Sequence, residues 1–324
     1  MGGILSTLLL LMIMKGRARD TEVDERAYNQ EGQTANGSVL LRRIIIMPLS
    51  FLYILFWFLT TAGVARTFGE VVVTAVLIRT PLEVIVATML LVAFFMVMYD
   101  VEVMARVNEA LLLILIIPLL FIALLAFQSA DFMRLLPLIS VDWMSLVKGM
   151  LAASFAFLGY ELVALFKGHI NAEEKSTRRA AMVGMLIPLL VYVLIVIAGI
   201  SSFGYEELQR LMWPTLELVK TTEMPGLILE RLESAFLGVW VAAVFTTVAN
   251  LYFSACYAAK KTFHLKTHRW LAFLALPAIY YLAMWPDSVH HLFAYLQTIS
   301  YVGLGLNITI ALLMYLSSLF RSKS

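Results

Sequence analysis

The chain is poor in charge, nearly without cysteine, and short of any catalytic constellation. Charged residues make up 14% of its 324 positions against 61% hydrophobic ones, far below the roughly 25% charged fraction of a soluble domain. That balance excludes a soluble globular protein and identifies an integral membrane protein. The one cysteine, Cys256, lies inside an apolar run, which excludes a disulfide framework and a thiol metal cluster. No Ser-His-Asp set, phosphate-cradling glycine loop or carboxylate pair at a shared depth can be assembled, so neither an enzyme nor a cofactor is expected. Histidines 169, 264, 268, 290 and 291 fall in loops or at span ends. His290-His291 has no carboxylate or cysteine set beside it that would hold a metal, and all five read as surface residues. The net charge of +2 says little about partners, and no nucleic-acid partner is expected.

What the chain does have is a succession of apolar runs separated by short charged segments, which fits helices rather than a β-barrel. The runs predict spans at roughly 2–14, 42–64, 82–99, 110–128, 143–166, 180–202, 234–259, 270–285 and 293–319. The expectation is an all-α polytopic membrane protein of about nine transmembrane helices, one domain over 1–324. Two longer polar stretches interrupt it, 15–41 and 203–233, and neither is long enough to be a domain. Lysine and arginine alternate between loops, seventeen on the side of 15–41 and seven on the side of 203–233. Basic residues are retained in the cytoplasm. This places the N-terminus outside, the 15–41 loop and the C-terminus in the cytoplasm, and 203–233 as an extracytoplasmic amphipathic loop. Residues 2–14 span barely half a bilayer, and their positive charges follow rather than precede them, unlike a secretory signal peptide.

The most informative stretch is Phe155-Ala156-Phe157-Leu158-Gly159-Tyr160-Glu161. Glycine weakens a helix by about 1 kcal/mol relative to alanine, and a charge near the bilayer centre costs at least about 2.5 kcal/mol. For each residue a bland reading stands beside the functional one. Glu161 can pair with Lys167 or Arg178, and Gly159 can serve close helix packing. Together with three aromatics, however, the pair resembles a discontinuous helix whose freed backbone groups bind a small polar solute. Tyr53, Thr246, Thr247, Asn250 and Asn307, all on other spans, are candidates to complete such a pocket, although threonine hydroxyls often bond only to their own helix. Pro118 and Pro188 mark kinks.

Residues 203–233 carry a second pattern, with Phe203-Gly204-Tyr205-Glu206-Glu207-Leu208, then Trp213-Pro214-Thr215-Leu216-Glu217-Leu218-Val219-Lys220, then Glu230-Arg231-Leu232-Glu233. The spacing predicts Leu208, Leu211 and Met212 on one face. Pro214 opens a second short helix and Pro225-Gly226 stops it. The segment reads either as an ordinary amphipathic loop or as a lid on the outer mouth.

The Trp-Pro-Thr-Leu-Glu-Leu-Val-Lys run, the Glu-Arg-Leu-Glu after it and the upstream Phe-Leu-Gly-Tyr-Glu resemble the spore-germination permeases, the integral-membrane B-type subunits of nutrient germinant receptors. The resemblance is strongest from Leu135 to Phe263 and extends through Tyr53-Ile54-Leu55 and Val101 to Glu109. It implies an inverted-repeat fold like that of the amino acid–polyamine–organocation superfamily, with a small-molecule site at broken helices one and six. By position, span 143–166 matches helix six, so Phe155, Phe157, Gly159 and Tyr160 inherit the candidate ligand-binding break. Thr246, Thr247 and Asn250 match helix eight, and Tyr53 matches the third helix. Glu161 is then a coupling or structural ion-pair residue. The implied partners are a small nutrient germinant such as an amino acid, other receptor subunits and the bilayer of the cell membrane or spore inner membrane. The nine spans correspond to family helices two to ten. Half of the family site would therefore lie outside the chain as written, and poor germinant binding or none is expected.

Overall fold

The computed structural model describes residues 47–136, 142–166, 169, 174–221 and 232–321. The short 2–14 span, the 15–41 loop, Lys167 and the Pro225-Gly226 stop lie outside the described residues. Every regular element among the described residues is helical. In chain order they are α1 (Met47–Ala75), α2 (Leu82–Val97), α3 (Val101–Leu125), α4 (Trp143–Ser154), α5 (Leu162–Phe166) and α6 (Glu174–Phe203). Then come α7 (Tyr205–Leu208), α8 (Pro214–Thr221), α9 (Leu232–Thr262), α10 (Arg269–Met284) and α11 (Val289–Arg321). Short 3₁₀ turns occupy Ala126–Ser129, Phe132–Leu135 and Phe155–Phe157.

Five helices are long and apolar enough to cross a membrane: Met47–Ala75, Val101–Leu125, Lys175–Phe203, Ala235–Thr262 and Val289–Leu313. Shorter apolar helices cover Leu82–Val97, Trp143–Ala153 and Arg269–Met284. The protein is an all-α polytopic membrane protein. Large apolar side chains such as Leu113 and Ile117 on α3, Leu190 on α6, and Phe273 and Leu274 on α10 stand exposed, as lipid-facing surfaces require.

The core is built on α1. It packs against α2, α9, α10 and α11, and α9 also packs against α2 and α3. Small residues permit this closeness. A Cβ on Gly69 would come within 2.6 Å of Leu82 and Val86, and one on Gly63 within 2.7 Å of Leu296. Around them Ala62, Ala65, Val86, Val248, Tyr252, Phe253 and Cys256 form the principal buried cluster. On the other side, α6 gathers α3, α8 and the two 3₁₀ turns that follow α3.

Several boundaries differ from those expected. The second apolar run predicts a span that ends at residue 64 with Arg66 in a loop, but α1 runs on to Ala75 with Arg66 buried inside it. The guanidinium is bound to Glu70 one turn later at 2.8 Å and to the Ala283 carbonyl at 3.4 Å. A paired, hydrogen-bonded charge is tolerated where a lone one is not. Likewise α3 begins at Val101 rather than 110, absorbing Arg106. His268 is not at the surface: it is buried, with Nε2 against the Val97 carbonyl at 2.9 Å, where it satisfies the end of α2. Pro214 does open a short helix, α8, whose Leu216, Leu218 and Val219 are buried. The expected Leu208–Leu211–Met212 face does not form, because α7 stops at Leu208 and Met212 is exposed.

Candidate functional site

The span expected at 143–166 is not one helix. α4 stops at Ser154, Phe155–Phe157 tightens into a 3₁₀ turn, Leu158 to Glu161 form a turn, and α5 resumes at Leu162. Gly159 sits at φ +108°, a backbone conformation that side chains with a Cβ rarely adopt. The space a Cβ would enter there is open, with nothing within 4 Å. Two backbone bonds restart the helix, Leu162 N–H to the Gly159 carbonyl at 3.1 Å and Val163 N–H to that of Tyr160 at 3.3 Å.

Glu161 closes this break on itself. Its carboxylate, on a residue 5% exposed, accepts the Gly159 N–H at 3.0 Å through Oε2 and the Trp57 indole N–H at 3.2 Å through Oε1. Among the described residues no ion pair includes it, and Arg178 is exposed. Trp57 lies one helical turn after Tyr53 on α1, and their rings meet edge-on with centroids 5.4 Å apart. The Tyr53 hydroxyl donates to Asn307 Oδ1 on α11 at 2.5 Å. Asn307 is close enough to act on the Glu161 carboxylate, and Glu161 on the Tyr53 and Tyr160 hydroxyls. Three elements thus converge on one polar point in an apolar bundle: α1, the break and α11.

Among the described residues, two buried polar atoms at this point have no hydrogen-bond partner, Tyr160 Oη and Asn307 Nδ2. Buried polar groups are normally satisfied, because leaving one unpaired costs about 1–3 kcal/mol. Close approach supports the arrangement: Gly303, one turn before Asn307, has the Phe56 ring so near that a Cβ would stand 2.5 Å from it.

The remaining expected site residues go elsewhere. Phe157 is buried with its ring edge-on to Tyr192 of α6 at 5.5 Å. Phe155 opens the 3₁₀ turn. Thr246 and Thr247 both donate to the Ala243 carbonyl of their own helix, at 2.8 and 3.0 Å. Asn250 exchanges two amide hydrogen bonds with Asn108 of α3, at 2.8 and 3.2 Å. The structure brings Tyr53, Gly159, Tyr160 and Glu161 together with Asn307, and ties Asn250 to a different helix. Trp57 escaped the sequence reading. Its signal was the four-residue spacing from Tyr53, which puts both on one helical face.

Residues 35–292 match the sequence profile of the family described as Spore germination protein. The chain belongs to this family. Spore germination protein A2 of Bacillus subtilis (strain 168) is 28% identical over 256 residues, which cover 79% of this chain and 70% of that protein. Spore germination protein YndE of the same organism is 25% identical over 275 residues, 85% of this chain and 75% of the relative. Spore germination protein B2, also from that strain, is 26% identical over 263 residues, 80% and 70% of the two chains. The described helices and the family together make this an integral-membrane member of the spore germination proteins.

Proposed function

We propose that the chain is the membrane subunit of a nutrient germinant receptor, binding a small solute, an amino acid or a close analogue, at the break in span 143–166. The observation that carries this reading is the break itself, a positive-φ glycine in open space beside a buried Tyr160 hydroxyl that has no hydrogen-bond partner among the described residues. A packed structural kink satisfies its polar groups, whereas a solute site holds some in reserve. Tyr53, Gly159 and Tyr160 form the ligand-facing set beside Glu161 and Asn307. Solute bound there favours one packing of the interrupted segment against α1 and α11, and other receptor subunits read that preference. A ligand shifts such an equilibrium only by its differential affinity for the two states. The membrane is the cell membrane or spore inner membrane, with the C-terminus in the cytoplasm and 203–233 on the opposite side.

The buried carboxylate of Glu161 favours one second reading, a secondary transporter in which that group carries a proton across. Reconstituted vesicles separate the two. Saturable amino acid binding without accumulation is the expected outcome; accumulation that collapses with the proton gradient supports the transporter. No binding of any amino acid leaves a subunit that scaffolds its partners.

A further inference from the structure

We propose that the connector between α9 and α10 binds the headgroup of an anionic phospholipid whose acyl chains lie along the exposed face of α10. This site is separate from the break in span 143–166 and stands without it.

Charge comes first. Lys260 and Lys261 lie in the last turn of α9, Lys266 in the connector, and Arg269 opens α10. The sequence has no aspartate or glutamate between Glu233 and Asp287, and among the described residues none of these four cations belongs to an ion pair. Asp100 and Glu102, at the corner of α2 and α3 beside the α2 end that His268 meets, make no ion pair with them either. Lys261 rests over the Tyr257 ring, 4.7 Å from its centroid. Lys266 and Arg269 stand exposed.

The connector holds these cations in a fixed shape. The Phe263 N–H donates to the Ala259 carbonyl and the Leu265 N–H to the Lys260 carbonyl, both at 2.9 Å, as in a helix end that reverses through one left-handed residue. That residue is His264, at φ +53°, the only non-glycine residue with positive φ among those described. Glycine is the usual occupant of such a position. Here an exposed imidazole takes it, adding an N–H donor between Lys260 and Lys266. Beyond it, His268 bonds to the Val97 carbonyl with its ring edge-on to Phe253 at 5.1 Å, and the Tyr252 hydroxyl donates to the Ala272 carbonyl. The start of α10 is thereby tied to α2 and α9.

The apolar residues identify the occupant. Phe263 and Leu265 are 45% and 40% exposed among the lysines, and apolar side chains interleaved with cations suit the headgroup layer of an anionic bilayer. The apolar surface then runs on down α10, where Trp270, Phe273, Leu274, Pro277 and Tyr281 recur at helical spacing and are all exposed. An acidic protein segment would match the charge but not this strip along a membrane-embedded helix. A phospholipid matches both: its phosphate oxygens accept from lysine, arginine and imidazole donors, and its chains lie below Trp270, at the depth an indole ring favours.

The test uses the full chain in phosphatidylcholine nanodiscs doped with phosphatidylglycerol or phosphatidylcholine carrying brominated acyl chains, which quench nearby tryptophan. The Trp270 signal is the difference between the wild type and Trp270→Phe. Brominated phosphatidylglycerol is expected to quench it at mole fractions at least about tenfold below those needed of brominated phosphatidylcholine. Combining Lys260→Gln, Lys266→Gln and Arg269→Gln should abolish that preference, and His264→Gly, which relaxes the backbone, should narrow it. Equal quenching by the two lipids overturns the proposal and leaves the cations to an acidic protein surface. A triple variant that keeps the wild-type preference also overturns it, as does displacement of the lipid by inorganic phosphate at equal ionic strength, because a free anion then suffices. The wild-type comparison of the two lipids decides the matter even if a variant does not fold.

Discussion

At the scale of single residues, Gly159 and Glu161 depend on each other. The carboxylate holds the N–H of a glycine whose φ of +108° turns the chain out of helix, so each makes the other tolerable in an apolar span. Gly159→Ala meets no steric obstacle, since nothing lies within 4 Å of the new Cβ. Its penalty is therefore backbone strain alone, about 1–3 kcal/mol, visible as a lowered melting temperature in detergent with no change in oligomeric state. Tyr53→Phe removes the donor to Asn307 Oδ1 and leaves that amide without any hydrogen bond among those described. The expected loss is about 1–2 kcal/mol, and Asn307→Leu made on top of Tyr53→Phe should recover part of it. The glycine and the carboxylate were legible in the sequence because both carry a visible cost in a lipid-embedded helix. Trp57 was not, because an aromatic residue in an apolar span costs nothing and so signals nothing. His268 misled for a related reason: its place at a span end looks exposed until α2 is seen to stop against it.

At the scale of elements, seven of the eight spans expected between 42 and 319 find a single helix and 143–166 finds two short ones around a break, because apolar run length is a direct reading of what the bilayer demands. Their ends were harder to place. Hydropathy stops at the first charge, whereas α1 carries Arg66 and Glu70 inward as a neutralised pair, and α3 carries a full turn and more of polar residues before its apolar run. The interruption in span 143–166 was legible, but which helices meet at it was not, since side-chain spacing does not fix packing. Two element-level outcomes follow. The reciprocal Asn108–Asn250 amide pair fastens α3 to α9. Replacing either by leucine alone orphans the other. A double-mutant cycle on thermal stability should return a coupling of about 0.6–1.7 kcal/mol, the range for hydrogen bonds between membrane helices. Gly303→Ala places a methyl 2.5 Å from the Phe56 ring and must push α11 from α1. A destabilisation of about 1–3 kcal/mol is expected, and Phe56→Leu in the same chain should relieve it.

At the scale of the whole molecule, the charged residues that mark the two sides can be tested directly. In a Cys256→Ser background, a cysteine at Lys261 should react with membrane-impermeant maleimide only after the cells are opened, and one at Glu206 in intact cells. The reverse pattern would invert the proposed orientation. The lengths of the helices carry a separate consequence. α2 and α10 are 16 residues each, about 24 Å of helix, and they lie against each other with Phe94 and Phe273 in ring contact. The hydrocarbon layer is about 30 Å thick. On this flank the protein is shorter than its solvent, while α1, at 29 residues, is longer than it needs to be. The bilayer must thin beside α2 and α10, and the exposed Tyr281 and Trp285 sit where such a dimple would begin. Lipids with short acyl chains should therefore stabilise the protein over lipids with long ones, so that membrane thickness itself becomes a variable to which its conformational balance responds.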